Sequence, residues 1–263
     1  MSGYTMLTLE TDARGVARLA LDRPEKHNAM NAGMIGELAD AAAKLAADEA
    51  VRVVVLAASG PAFCAGADLS WMRDQAGKDR QGKIEGATEL AMMLKALDGL
   101  PKPLIGRVQG NAFGGGIGLM AVCDIVVAAE KAEFALTETR LGLIPATIGP
   151  YVVRRIGEGH ARRLFLNARR FDAAAASRIG LVSVVRPAGE LDAAVEEEVS
   201  AFLDCAPGAV AGAKSLVQDL ARGTAGDPIA HSIGLLADRW ESAEGRAGIE
   251  AFLSRRPMPW APK

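Results

Sequence analysis

Phe63-Cys64-Ala65-Gly66-Ala67-Asp68 and, further along the chain, Phe113-Gly114-Gly115-Gly116-Ile117-Gly118 are the stretches whose reading decides the fold. Each follows a β-branched, strand-like run, Val51 to Leu56 and Leu104 to Val108, and each leads into a helix-like one. Two strand-to-helix turns with bare backbone N–H groups can converge on one oxygen atom, which holds an enolate or another oxyanion without a charged side chain. The acid–base group must then come from elsewhere, and Glu138 is the candidate. In the first turn Gly66 and Gly60 allow conformations a side chain would obstruct, and Ala67 can present its N–H to a ligand. The alternative is a tight βα loop whose small residues serve packing. Cys64, flanked by Phe63 and Ala65 with no histidine close in sequence, reads as a buried, inert thiol. In the second turn each glycine weakens a helix start by up to about 1 kcal/mol relative to alanine. Backbone must therefore come close to something there, either a ligand or a neighbouring strand. The spacing is not that of a dinucleotide fingerprint, and no phosphate loop ending in Gly-Lys-Ser/Thr is present.

The chain has 263 residues, half of them hydrophobic, enough for one large domain or one domain with an appendage. A net charge of −2 gives no global attraction to nucleic acid or to an anionic membrane. No apolar stretch has bilayer length, and the first ten residues lack the basic and apolar regions of a signal peptide. Cys64, Cys123 and Cys205 are odd in number and form no Cys-x-x-Cys pair. Reduced thiols in a cytoplasm are the expectation. None of His27, His160 and His231 is spaced as a ligand pair, so no metal site is expected.

The N-terminal part alternates strands and helices. Leu7 to Glu10 and Val16 to Leu21 read as a hairpin across Asp12 to Gly15. Asn31 is the expected cap of a helix through Ala47, with Ile35, Leu38, Ala42 and Leu45 on one face. The polar stretch Arg73 to Glu85, with glycines nearby, reads as mobile before a helix from Thr88 to Leu97. Strands are expected at Ile125 to Ala128, Phe134 to Leu136 and Leu181 to Val185. Helices are expected at Ile148 to Ile156, Gly159 to Asn167 and, capped by Asp172, Ala173 to Arg178. Beyond Pro187 only helical spacing remains, in Leu191–Leu203, Ala209–Leu220, Ile229–Glu241 and Arg246–Leu253.

Taken in order, several pieces resemble the crotonase (enoyl-CoA hydratase/isomerase) superfamily. They are Leu21-Asp22-Arg23-Pro24 with Asn28-Ala29-Met30, and Phe63 to Leu69. Gly110 to Gly116, Cys123-Asp124-Ile125, Phe134 to Glu138 and Leu141 to Pro145 complete the set. The order and separations match over nearly the whole chain. The resemblance implies an α/β fold, a spiral of ββα turns over residues 1–200, and a helical trimerisation region over 201–263, assembled as a trimer or a dimer of trimers. It implies an acyl-CoA thioester as substrate, with no cofactor beyond that coenzyme A. The matching oxyanion donors are Ala67 and Gly115, helped by the positive end of the helix after Gly115. The coenzyme A would run along Ala65, Ala67, Asp68 and Leu69 and near Lys26. Phe252 and Arg255 match positions that touch it from a neighbouring subunit.

One departure narrows the chemistry that the resemblance implies. Hydratases of the superfamily carry two glutamates; the second falls on Glu138 and the first on Gly118, which has no side chain. Glu138 alone is then expected to position water and to shuttle a proton, while Gly118 is expected to open space for a bulkier acyl group. Phe113 to Leu119, Thr137-Glu138 and Leu143 to Tyr151 look closest to the bacterial methylglutaconyl-CoA and isohexenylglutaconyl-CoA hydratases. Such substrates carry a distal carboxylate, for which Arg154 or Arg155 is the expected cation. A Δ3,Δ2-enoyl-CoA isomerase and a non-catalytic acyl-CoA-binding homologue stand as alternatives.

Overall fold

The hairpin of β1 (Leu7–Thr11) and β2 (Val16–Leu21) forms across a turn in which the Asp12 carboxylate accepts from the N–H groups of Arg14 and Val16. In the protein, described over residues 3–261 by a computed structural model, that hairpin extends into a six-stranded sheet. Its order is β1, β2, β3 (Val53–Ala58), β4 (Leu104–Val108), β6 (Ile125–Ala129) and β9 (Val184–Arg186), parallel beyond the hairpin. Every residue of β3 is buried, as its uninterrupted apolar run requires of a central parallel strand. A second, small sheet joins β5 (Ala112–Phe113), β7 (Glu133–Ala135) and β8 (Phe171–Asp172).

Helix α1 (Ala32–Ala47) begins as expected, the Asn31 side chain accepting from the Met34 N–H at 2.9 Å. The stretch from Arg73 to Glu85 corrects the expectation of a mobile segment. It belongs to α2 (Leu69–Gly77) and to α3 (Arg80–Asp98), which starts two turns before Thr88. Asp68 and Asp79 cap these helices through Ser70 N–H and Gly82 N–H. Gly86 is what lets α2 and α3 close: a methyl there would stand 2.6 Å from both terminal atoms of the Gln75 amide. Buried Met93, Leu94 and Leu97 then hold α3 on the core.

Helix α4 (Gly115–Ala121) follows the second glycine turn. The two helices expected between Ile148 and Asn167 are present, parted by non-helical backbone at Gly157 (φ +75°, ψ 158°), and carry the single label α5 (Gly149–Asn167). Asp172 caps α6 (Ala173–Arg178) as expected. The strand expected from Leu181 begins only at Val184, because Leu181 and Val182 leave the helix as fully packed loop residues.

Four helices end the chain: α7 (Leu191–Leu203), α8 (Pro207–Arg222), α9 (Pro228–Glu241) and α10 (Ala243–Leu253). α7 buries Leu191, Val195, Val199 and Leu203, whereas α8 and α9 bury no residue. Buried Asp98, at the end of α3, ties α5 and α8 together through ion pairs with Arg154 and Arg222. No helix among the described residues is long and apolar enough to cross a membrane.

Candidate active site

The two glycine turns meet because backbone hydrogen bonds lace them together. Phe63 and Cys64 donate to Asn111 O, and Phe113 N–H returns to Cys64 O at 2.9 Å. Gly66, at φ +92°, takes a left-handed turn, and a methyl on it would stand 2.9 Å from Phe113 O and 3.8 Å from Gly115 N. Met30 pairs with the same loop, its N–H bonding Gly66 O at 2.7 Å and its carbonyl accepting from Asp68 N–H at 2.9 Å. That parallel bridge uses the groups on either side of Ala67, so the Ala67 N–H faces away from Met30. Gly115 is the first residue of α4, where an N–H has no intrahelical acceptor. Ala67 and Gly115 both line one cleft of about 460 Å³.

Asp68 is the pin of this loop. Its carboxylate accepts from Ser70 N–H and hydroxyl and pairs with Arg23 at 3.1 Å, and Arg23 also donates to Ala29 O. The Ser70 bonds, with Arg23, hold the carboxyl down at about 2. Both its oxygens are thus engaged inside the protein.

Glu138 opens a short 3-10 turn (Glu138–Leu141) after β7, beside Gly114. Gly114 has φ +47°, and a methyl on it would stand 3.1 Å from Glu138 Oε1. The other oxygen, Oε2, is buried with no hydrogen-bond partner among the described residues, and burial raises the carboxyl above its ordinary value. An unpartnered buried oxygen on a group that favours its proton is what a general acid–base needs. The structure brings Glu138, Ala67 and Gly115 to the lining of one cleft. Cys64 and Cys123 are buried thiols pushed up to about 12 by desolvation and are inert, as the flanks of Cys64 foretold.

Gly118 does not open space. A methyl at that position would overlap Ile148 Cγ2 and stand 3.0 Å from Ile148 Cβ, so Ile148 already fills the gap. Gly118 is buried under Ile148, and it is Ile148 that lines the cleft. Arg154 and Arg155 are not the expected cations for a distal carboxylate. Arg154 pairs with Asp98 at 2.5 Å, and Arg155 donates to Cys123 O and Gly180 O. Both line a different cavity, under α8. Ala65 lines the cleft, Leu69 projects beside it 80% exposed, and Lys26 ends an exposed turn next to it. Ala65 N–H is tied to that turn through His27 O. Phe252 and Arg255 lie at the far end of the chain, Phe252 being 72% exposed. Spacing did not single out Trp71, Gln75, Lys83 and Ile148 as cleft residues; α2, α3 and the start of α5 bring them there.

The family model described as enoyl-CoA hydratase/isomerase matches residues 11–263. The chain belongs to the enoyl-CoA hydratase/isomerase family. Its structure is similar to the crystal structure of an enoyl-CoA hydratase from Shewanella pealeana, at TM-score 0.94 and 39% identity over 98% of this chain and 97% of that one. It is also similar to Pseudomonas aeruginosa AtuE, at TM-score 0.93 and 37% identity over 98% of this chain and 100% of that one. An enoyl-CoA hydratase of Mycobacterium smegmatis gives TM-score 0.92 and 34% identity, covering 97% and 99%. The crotonase-type α/β fold implied by the motifs is thereby borne out, and the chain is an enzyme of the hydratase/isomerase family.

Proposed function

We propose that the protein is an enoyl-CoA hydratase acting on a branched α,β-unsaturated acyl-CoA thioester of the methylglutaconyl type. Glu138 takes a proton from water, and the hydroxide oxygen bonds to the β-carbon. The double-bond electrons move onto the thioester oxygen, where the amides of Ala67 and Gly115 hold the enolate. One such donor is worth about 3 kcal/mol in the transition state. The proton on Glu138 then passes to the α-carbon, which completes the addition of one water. The observation that carries this reading is the buried Glu138 Oε2, without a hydrogen-bond partner among the described residues, on the cleft that Ala67 and Gly115 line.

Lys26 and the segment Ala65 to Leu69, at the cleft rim, are assigned to coenzyme A, with Phe252 and Arg255 approaching it from a second subunit of a trimer. Residues 201–263 form the oligomerisation region, and the free cysteines suit a cytoplasmic location. A Δ3,Δ2-enoyl-CoA isomerase is the second reading, because Glu138 is the one carboxylate among the described residues lining the cleft. A spectrophotometric comparison of hydration and double-bond migration on crotonyl-, tiglyl-, methylcrotonyl- and methylglutaconyl-CoA separates the two. Hydration by wild type that vanishes in Glu138→Gln is the expected result. Migration without hydration supports the isomerase, and unchanged turnover in Glu138→Gln removes that residue from the mechanism.

A further inference from the structure

The wall of the cleft built by α2 and α3 carries hydrogen-bond donors that no acceptor among the described residues uses. Trp71 Nε1–H is buried and has no acceptor among the described residues. Such a group costs free energy unless a ligand supplies the missing oxygen. Gln75, one turn further along α2 and on the same face, presses its amide onto Gly86 of α3. Lys83, one turn before Gly86, is the one cation among the described residues lining the cleft and forms no ion pair there. The remaining lining of this wall, Met72, Ala76, Ala87 and Leu90, is apolar.

The order of these groups along the wall gives them a direction. Ala67 lies just before α2, so Gln75 stands one turn further along that helix than Trp71, while exposed Lys83 sits in the first turns of α3, one turn before the Gly86 that the Gln75 amide touches. Along α3, Lys83, Ala87 and Leu90 share the cleft face, which spans about 10 Å at 1.5 Å per residue. Leu94, one turn beyond, packs toward Gly118 on the floor. Lys83 is therefore at the outer end of an apolar wall, where the tail of an acyl chain would arrive.

We propose that Lys83, with Trp71 Nε1–H and the Gln75 amide, forms a subsite for a carboxylate at the distal end of the acyl chain, so that the cleft selects dicarboxylic mono-CoA thioesters. This rests on the acyl-CoA reading above and replaces Arg154 and Arg155 as the source of the counter-charge. The phosphates of coenzyme A are the other anion that Lys83 could meet, and the two have different consequences.

The test compares saturated acyl-CoA ligands that differ only in the chain terminus, methyl against carboxylate, at matched lengths from five to twelve carbons. Binding is measured by calorimetry on the intact protein, so turnover is not required. Wild type is expected to bind the carboxylate-ended member of at least one pair about tenfold tighter or more, the range of a charge-assisted bond. Lys83→Met should abolish that preference while leaving the methyl-ended ligands unchanged, and Lys83→Arg should keep it. Trp71→Phe, which retains the ring and removes the N–H, should reduce the preference several-fold. Equal weakening of both ligand types by Lys83→Met would assign the lysine to coenzyme A phosphate and overturn the proposal. No preference at any length in wild type would overturn it as well. If no CoA thioester of either kind binds, the acyl-CoA reading itself fails.

Discussion

Glu138 is a carboxyl whose surroundings favour its protonated form, and that has a consequence for stability as well as for rate. Its folded value lies above the unfolded one because burial disfavours the charge. The fold therefore binds this proton more tightly than the unfolded chain does, and stability is lost as pH rises through the ordinary carboxyl range toward the raised value. Glu138→Gln, neutral at all pH, should melt at a higher temperature than wild type near neutrality and lose that advantage in acid. Equal melting temperatures near neutrality would contradict this. The same variant should lose about 10²–10⁴-fold in kcat, the usual contribution of general acid–base catalysis. In wild type, kcat/KM should fall as pH drops through a value above the ordinary glutamate range, because the base must be ionised to take a proton from water. The glycines announced close backbone approach at both turns, whereas the choice of Ala67 and Gly115 as the donors, and most of the weight on Glu138, came with the crotonase resemblance. Ile148 was not legible in the sequence, since its contact with Gly118 joins residues on different helices that no spacing rule links. That contact is testable. Gly118→Ala should cost about 1–3 kcal/mol by overpacking against Ile148. Adding Ile148→Ala should cost less than the sum of the two single changes, a coupling that denaturant titration of the four proteins measures.

At the scale of elements, the position of the Ala67 amide depends on one carboxylate shared between a helix cap and an ion pair. Asp68 caps α2 and holds Arg23, and both side chains are largely buried. Asp68→Ala removes the cap, worth about 0.5–2 kcal/mol, and leaves the Arg23 guanidinium buried without its partner. It should lower both melting temperature and kcat/KM, whereas Asp68→Asn keeps the cap acceptor and should recover part of the stability. Retained kcat/KM in Asp68→Ala would show that the amide is held without this pin. Regular elements were legible where one pattern ran unopposed: the all-apolar β3 and the Asn31-capped α1 stand within two residues of expectation. α2 and α3 were not, because their glycines and charges argue for mobility when read alone. Gly86 makes sense only once the Gln75 amide is seen lying across it. The two-residue strands β5 and β8 carry no period at all, and only the hydrogen bonds that close the second sheet define them.

Across the whole molecule, the helical tail is unfinished as a single chain. α9 presents Ile229, Ile233, Leu236 and Trp240 at positions i, i+4, i+7 and i+11, all more than half exposed. α8 adds Val217 and Leu220, and α10 adds Phe252 and Leu253. Contiguous apolar surface of this kind marks an interface, and a second copy of the chain is the partner that the proposed trimer supplies. The sequence exposed the helical periodicity of this region but not which face stays open, because that depends on where α7 stops covering the sheet and α8 turns away. Light scattering on wild type should give three times the 27.4 kDa of one chain, or twice that for paired trimers. Ile233→Glu with Leu236→Glu places charges in the middle of the stripe, where an unpaired buried charge is costly, and should yield a monomer with secondary structure intact by circular dichroism. If Phe252 and Arg255 reach coenzyme A across the interface, that monomer should show a raised KM for every acyl-CoA, whatever its chain terminus, with Glu138 chemistry still operating at saturation. A monomeric wild type, or a charged variant that stays trimeric with unchanged KM, would remove α9 from the interface.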